Sequence, residues 1–206
     1  MHLLDQRALG FVMLLLLSML VMTKHLTTGS ILRDKPSEGS LRLWVTHTFN
    51  LFFLLIVNPT AAMLLIARQV DAVDPTHIVF NAPWLLMGLE IAGMVLYGGG
   101  HLLMGWALVR LGRNYQAGGN PPRHADEMVV VGPYQVVRHP MYTAALCISL
   151  GLACLIQSLA ALSIFYLYVI LIMFLVPAEE EGLKRAYGEQ YTAYQQKVKR
   201  IAPLLY

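Results

Sequence analysis

Read as a pattern of apolar and polar positions, the chain is a series of long apolar runs separated by short polar ones. A helix needs roughly 20 mostly apolar residues to cross the hydrocarbon core of a bilayer, and five runs meet or approach that length. The first covers Ala8–Met22 and can extend to Leu26. The second covers Leu43–Ile66 and contains Pro59, which predicts a kink. The third covers Pro83–Leu111. The fourth and fifth, Met141–Gln157 and Leu159–Val176, are shorter and meet at Ser158, which predicts a tight antiparallel hairpin. Arg113–Arg138 reads as a polar loop, because Gly118-Gly119-Asn120-Pro121-Pro122 is too rich in breakers for helix. After the fifth run, Tyr187, Tyr191, Tyr194 and Val198 recur at helical period, predicting an amphipathic helix over Glu179–Lys199. The expected fold class is all-α: a polytopic membrane protein with about five transmembrane helices and a C-terminal amphipathic helix.

Composition agrees with that pattern. The chain has 206 residues, of which 57% are hydrophobic and 13% charged, about half the charge of an ordinary soluble domain. The net charge of +3 does not point to nucleic acid, because the basic residues flank the apolar runs and form no patch with interleaved aromatics. Lys24, Arg33, Lys35 and Arg42 fall after the first run. Arg110, Arg113, Arg123 and Arg138 precede the fourth, and Lys184, Arg185, Lys197, Lys199 and Arg200 follow the fifth. The opposite side holds only Arg7 and Arg68. The positive-inside rule then expects an outside N-terminus and a cytoplasmic C-terminus. Asp5 precedes the first run and no small-residue cleavage site follows it, so that run is expected to stay as a membrane helix. Cys147 and Cys154 would lie about 10 Å apart along one helix, too far to bridge. No ligand-spaced cluster suggests a metal.

Two polar clusters at membrane boundaries carry the candidate chemistry. Gly132, Pro133, Tyr134, Arg138, His139, Pro140, Met141 and Tyr142 lead into the fourth run. Pro140 suits a first helical turn, and N–H groups left free there favour an anionic ligand group. Such a set also serves as an interfacial anchor. The second cluster, Glu179-Glu180-Glu181, follows the fifth run on the same side. Acidic residues are poor anchors beside anionic lipid, so a partner is expected: a ligand cation, ribose hydroxyls, or Arg138. Negative charge at the start of a tail helix is the plainer reading. Gly98-Gly99-Gly100-His101 lies inside the third run, where small residues suit close helix packing. His101 is a polar residue within a span and therefore a functional suspect. His47 and His77 sit near span ends and read as structural or interfacial.

The two clusters together resemble the isoprenylcysteine carboxyl methyltransferase and phospholipid methyltransferase superfamily. The likeness runs from Leu111-Gly112-Arg113 through Gly132, Pro133, Tyr134, Arg138, His139, Pro140 and Tyr142. It continues, after a helical hairpin, through Glu179, Glu180, Leu183, Tyr187, Gly188, Tyr191, Tyr194, Val198, Arg200 and Pro203. The resemblance implies a membrane enzyme that binds S-adenosylmethionine and takes a lipophilic substrate from the bilayer. It implies cofactor contacts at Asp126, Glu127, Met128, Val129, Tyr134, His139, Pro140, Met141, Tyr142 and Glu179. It divides the chain into scaffold and substrate-access helices over 1–107 and a cofactor-binding region over 108–206. Glu180, His101 and Arg138 are the candidates for catalysis, with Arg138 also expected to pair with Glu180. Prenylcysteine enzymes carry a carboxylate-binding arginine four residues before the first paired glutamate, where this chain has Leu175. That departure favours an amine, thiol or hydroxyl acceptor. The alternatives are a membrane NADPH-dependent reductase of the sterol or steroid type and a non-catalytic membrane interaction protein.

Overall fold

A computed structural model describes residues 5–29, 41–115, 122 and 126–201; their regular structure is helical, with two isolated β-bridges. Arg33, Lys35, Arg123, Pro203 and the Gly118–Pro121 stretch of the polar loop lie outside the described residues. Helix α1 (Gln6–Thr28) begins where Asp5 accepts the Arg7 N–H at 3.0 Å and ends on Gly29. Helix α2 (Leu41–Phe52) passes through a π-helical turn, Phe53–Val57, into α3 (Asn58–Ala67). The disturbance expected at Pro59 takes this form. Proline has no N–H for the carbonyl four residues earlier, and the ladder ahead of it slips to an i→i+5 pattern. Asn58 Nδ2 donates to the Phe53 carbonyl at 2.9 Å, and the Tyr97 hydroxyl donates to Asn58 Oδ1 at 2.9 Å. The buried amide is thus satisfied within the span, where an unpaired polar group would be costly.

A short turn of helix, α4 (Val70–Val73), leads to α5 (Pro83–Leu111), whose bounds match the third apolar run. Helices α6 (Pro140–Ile156) and α7 (Leu159–Tyr187) form the expected hairpin, with Gln157 in the left-handed region and Ser158 Oγ accepting the Ala161 N–H at 3.2 Å. Among the described residues, four spans are long and apolar enough to cross a bilayer: Gln6–Thr28, Trp44–Ala67, Pro83–Asn114 and Leu159–Tyr187. α6 is apolar but only 17 residues long, or about 26 Å.

One expectation is corrected. The acidic cluster does not open a separate helix over Glu179–Lys199. α7 continues through Pro177 and all three glutamates to Tyr187, and α8 (Glu189–Lys197) is a distinct helix. The break falls at Gly188, with φ 56° and ψ −127°, a conformation open to glycine and strained for other residues. Helix capping therefore does not explain the glutamates.

α5 and α6 pack through glycines. A Cβ on Gly151 would stand 2.5 Å from the Tyr97 nitrogen, and one on Gly100 would stand 3.0 Å from the Ala144 carbonyl oxygen. Of the Gly98-Gly99-Gly100 triplet only Gly100 is at such a contact, since Gly98 and Gly99 face open space. The core gathers Met13, Leu65, Tyr97, Leu152, Leu155 and Val176, while Phe11, Leu15, Trp44, Met173 and Phe174 are exposed. An apolar outer surface is what lipid solvates.

The helices alternate in direction. Asp5, the α3–α5 connection and the hairpin tip share one end: Arg68 reaches Asp5 at 3.0 Å, and the Ile78 N–H reaches the Gln157 carbonyl at 2.8 Å. The opposite end collects the α1 C-terminus, the α5 exit, residues 126–139 and α8. There Lys24 Nζ stands 5.5 Å from the centre of the Tyr115 ring.

Candidate functional site

The segment entering α6 is held by two main-chain bonds and one side-chain hydroxyl. A 3₁₀ turn over Gly132–Gln135 precedes it. The Arg138 N–H donates to the Lys199 carbonyl at 2.7 Å, the His139 N–H to the Arg200 carbonyl at 2.9 Å, and the Thr143 hydroxyl to the Ile201 carbonyl at 2.7 Å. The C-terminal strand of chain thus straps the start of α6.

Charge then locks the strap to α7. Glu180 is buried, and Arg138 donates to its Oε1 from Nε at 2.9 Å and from Nη2 at 2.7 Å. Arg200 donates to the other oxygen at 3.0 Å and 2.9 Å. His139 Nε2 lies 3.4 Å from Oε1. The remaining Arg138 nitrogen donates to the carbonyls of Gln195 and Val198, after α8 has turned back. A carboxylate shared by two guanidiniums has both oxygens satisfied, which is the condition for a buried ion pair to persist. Glu180 is therefore engaged in a latch.

Beside the latch is a cavity of about 280 Å³ that runs from this end into the bundle. Its outer wall carries Glu127, Met128, Val129, Tyr134, Arg138, His139, Pro140, Met141, Tyr142 and Glu179. The Tyr142 hydroxyl donates to Glu179 Oε2 at 2.7 Å, and His139 Nδ1 stands 4.0 Å from the same oxygen. Its inner wall is mainly apolar, with Leu20, Leu51, Phe53, Leu54, Ile148 and Tyr168. His101 lines the stretch between, and Asn58 and His47 also reach the wall. Residues on both sides of position 107 thus build one cavity.

Nine of the ten cofactor candidates read from the sequence stand on this wall; Asp126 does not, and its carbonyl accepts the Tyr187 hydroxyl at 3.3 Å. Of the three catalytic candidates, His101 and Arg138 line the cavity and Glu180 lies behind it. Leu175 is buried and does not line the cavity. The α6 N-terminus offers less than its sequence suggested. Pro140 has no N–H, and those of Tyr142 and Thr143 already reach the His139 carbonyl at 3.1 Å, leaving the Met141 N–H as the first-turn donor with no partner among the described residues.

Sequence reading assigned the tyrosine stripe to a helix face and missed its place in the site. Tyr187, Tyr191 and Tyr194 all line the cavity. Gly188 bends the chain so that α8 lays its tyrosines against the residues before α6, with the Tyr194 hydroxyl donating to the Tyr134 carbonyl at 2.5 Å. Burial pushes the Tyr194 hydroxyl up to about 12, with Arg138 pulling slightly the other way. Burial, and then the Glu179 charge, holds Tyr134 far above its ordinary value. Tyr191 is raised by burial and by Glu180, and its hydroxyl is buried with no protein partner among the described residues. These tyrosines stay neutral, presenting aromatic faces and one unused hydroxyl. Tyr187 after a helical run and before a glycine was the available signal.

Aromatic faces and a carboxylate suit a cation; an unused hydroxyl and one open N–H suit a polar ligand with an acceptor group. No curated protein matches the chain. A family model, phospholipid methyltransferase, matches residues 89–190, which covers most of α5, the α6–α7 hairpin and the start of α8. That match, on a multi-pass apolar helical bundle, places the chain in the membrane methyltransferase superfamily that the phospholipid methyltransferases share with the isoprenylcysteine carboxyl methyltransferases.

Proposed function

We propose that the protein moves the methyl group of S-adenosylmethionine to a lipophilic acceptor that enters from the bilayer, on the cytoplasmic side of a cell membrane. The observation that carries this reading is a single cavity with a polar, tyrosine-rich outer part and an apolar inner part. A charged cofactor and an apolar substrate could meet there without either being exposed to the wrong medium.

The residues suit the cofactor's groups. Glu179, fixed by Tyr142, would hold the amino group or ribose hydroxyls. The Met141 N–H would meet the carboxylate, and the rings of Tyr134, Tyr187, Tyr191 and Tyr194 would face the cationic portion. When bound, the cofactor supplies an electrophilic methyl carbon on a sulfonium. The protein's part is to align that carbon with the acceptor and keep out water, and such positioning can account for about 7–11 kcal/mol of a barrier. The latch of Arg138, Glu180 and Arg200 keeps α8 and the strap closed over the outer part. With Leu175 away from the wall, no arginine stands at that position for an acceptor carboxylate, which favours an amine, thiol or hydroxyl.

The test is a pair of titrations of the purified protein in detergent. S-adenosylhomocysteine should raise the unfolding temperature and NADPH should not. Stabilisation by NADPH alone would favour a reductase, and by neither a non-catalytic role. Labelled S-adenosylmethionine with a total lipid extract should then transfer label to a lipid fraction.

A further inference from the structure

His101 is a polar side chain of the cavity that the proposed cofactor contacts do not use. It is buried in α5, and its Nδ1 lies 2.9 Å from the Tyr97 carbonyl oxygen. A carbonyl only accepts, so Nδ1 carries the hydrogen. The Tyr97 ring packs against the imidazole with centroids 4.4 Å apart. Tyr97 is itself anchored through its hydroxyl to Asn58 and from there to the Phe53 carbonyl of the π turn. The ring is therefore held by two contacts, both from an anchored Tyr97. Among the described residues no carboxylate stands within ion-pair distance, and an uncompensated charge inside a span is costly. The neutral ring, with Nδ1 protonated, presents a lone pair at Nε2. That nitrogen has no protein partner among the described residues and opens on the cavity.

Its depth is set by the α5–α6 contact. Gly100 packs at Ala144, four residues into α6 from Pro140, which places His101 about 6 Å, or one turn, membrane-ward of the α6 N-terminus. The outer, tyrosine-rich part of the cavity lies above it and Leu51, Phe53, Leu54 and Tyr168 lie below.

We infer that His101 is a catalytic residue, the proton acceptor for the nucleophile; the inference rests on the methyl-transfer reading. The acceptor carries an X–H bond, where X is nitrogen, oxygen or sulfur. The proton passes to His101 Nε2, and the X–H electron pair forms the new X–C bond as the C–S bond breaks with its pair going to sulfur. The cofactor leaves as the neutral thioether, the product as X–CH₃, and the positive charge rests on the imidazolium until the proton returns to water through the cavity. The Tyr97 carbonyl, already accepting from Nδ1–H, fixes the tautomer and keeps that hydrogen bond to the imidazolium. Other titratable groups on the cavity wall include Lys24 on α1, His47 on α2, Tyr142 on α6, and Tyr168 and Glu179 on α7. Tyr142 and Glu179 are bonded to each other, and Tyr168 donates to Asn50 Oδ1 at 2.9 Å.

The test uses His101→Gln, which keeps a donor and an acceptor but cannot take up a proton. S-adenosylhomocysteine should bind the variant as it binds the wild type. Label transfer from S-adenosylmethionine to lipid extract should fall roughly 100-fold or more, the lower range for loss of a general base, with KM for the lipid little changed. The wild-type kcat should rise with pH through one group, and the variant should lack that limb. Nitrogen NMR of the histidine-labelled wild type should find the His101 ring protonated at Nδ1 and bare at Nε2, a readout independent of activity and of whether the variant folds. Wild-type turnover by H101Q, or a ring protonated at Nε2 alone, overturns the assignment to His101 and leaves the methyl-transfer reading standing. Failure of the wild type to bind S-adenosylhomocysteine removes that reading and the inference with it.

Discussion

The two ends of the helical bundle are tied in different ways. At the hairpin tip, short loops and individually small, local bonds hold the chain: the Thr76 hydroxyl donates to the Asp74 carboxylate at 2.7 Å and accepts the Ala160 N–H at 3.0 Å, and the Leu159 N–H meets the Thr76 carbonyl at 3.2 Å. At the other end one buried carboxylate, Glu180, joins three elements distant in sequence through Arg138 and Arg200. The tip is closed over local contacts with small individual energies. The latch end keeps a cavity open beside it, and an open cavity forgoes packing that would otherwise stabilise the fold. Concentrated charge is how that end stays ordered without being filled.

The comparison breaks most sharply at Glu180. Glu180→Ala leaves Arg138, whose side chain is 8% exposed, as a buried cation without its partner, and such losses cost about 3–5 kcal/mol. Thermal unfolding in detergent should show this as the largest destabilisation of the variants considered, together with loss of S-adenosylhomocysteine binding as α8 and the strap detach. An E180A protein of wild-type stability would mean that the latch is dispensable.

A subtler change separates holding the site from holding the fold. Tyr142→Phe removes the hydroxyl that orients Glu179 and nothing else polar. A hydrogen bond to a charged group contributes about 1.5–3 kcal/mol, so S-adenosylhomocysteine affinity should fall roughly 10- to 100-fold, with a smaller effect on unfolding. Calorimetric titration measures the first and thermal unfolding the second; a variant that lost stability and kept affinity would place Tyr142 in the fold alone. At the tip the signs reverse. Thr76→Ala removes a hydrogen bond to the Asp74 carboxylate and should lower stability by about 1.5 kcal/mol, the low end for a bond to a charged group, and leave ligand affinity unchanged.

The difference between the ends also explains what the sequence disclosed. α5 was legible to its last residue, because Pro83 opens an unbroken apolar run and Arg110 and Gly112 close it. The hairpin was legible from Ser158, a capping residue between two such runs. The extent of α7 was not, since Pro177 and three glutamates look like a boundary; they continue as helix because Glu180 finds Arg138 and Arg200 from segments the pattern does not link. The nine cavity-lining candidates were named from the family resemblance, whereas Tyr191 and Tyr194 required the bend at Gly188. The strap, a parallel bridge between Val137 and Lys199, rests on main-chain groups and leaves no side-chain pattern to read.

The smallest expected effect lies at the tip and is a dependence on pH. Asp74 is partly buried, which alone would raise its pKa, but hydrogen bonds from Ser158 and from the side chain and main chain of Thr76 outweigh that and lower it below 3.8. A carboxyl whose pKa is lower in the folded state contributes stability that is present above the unfolded value and is lost as pH falls through the folded one. The wild type should therefore lose stability relative to Asp74→Asn only below about pH 4, and the two should run parallel above it. Thermal unfolding of both proteins between neutral and strongly acidic pH measures this directly. Curves that stay parallel down to the lowest pH would mean that the Asp74 charge contributes nothing to closing the tip, and that the hydroxyls of Thr76 and Ser158 hold it alone.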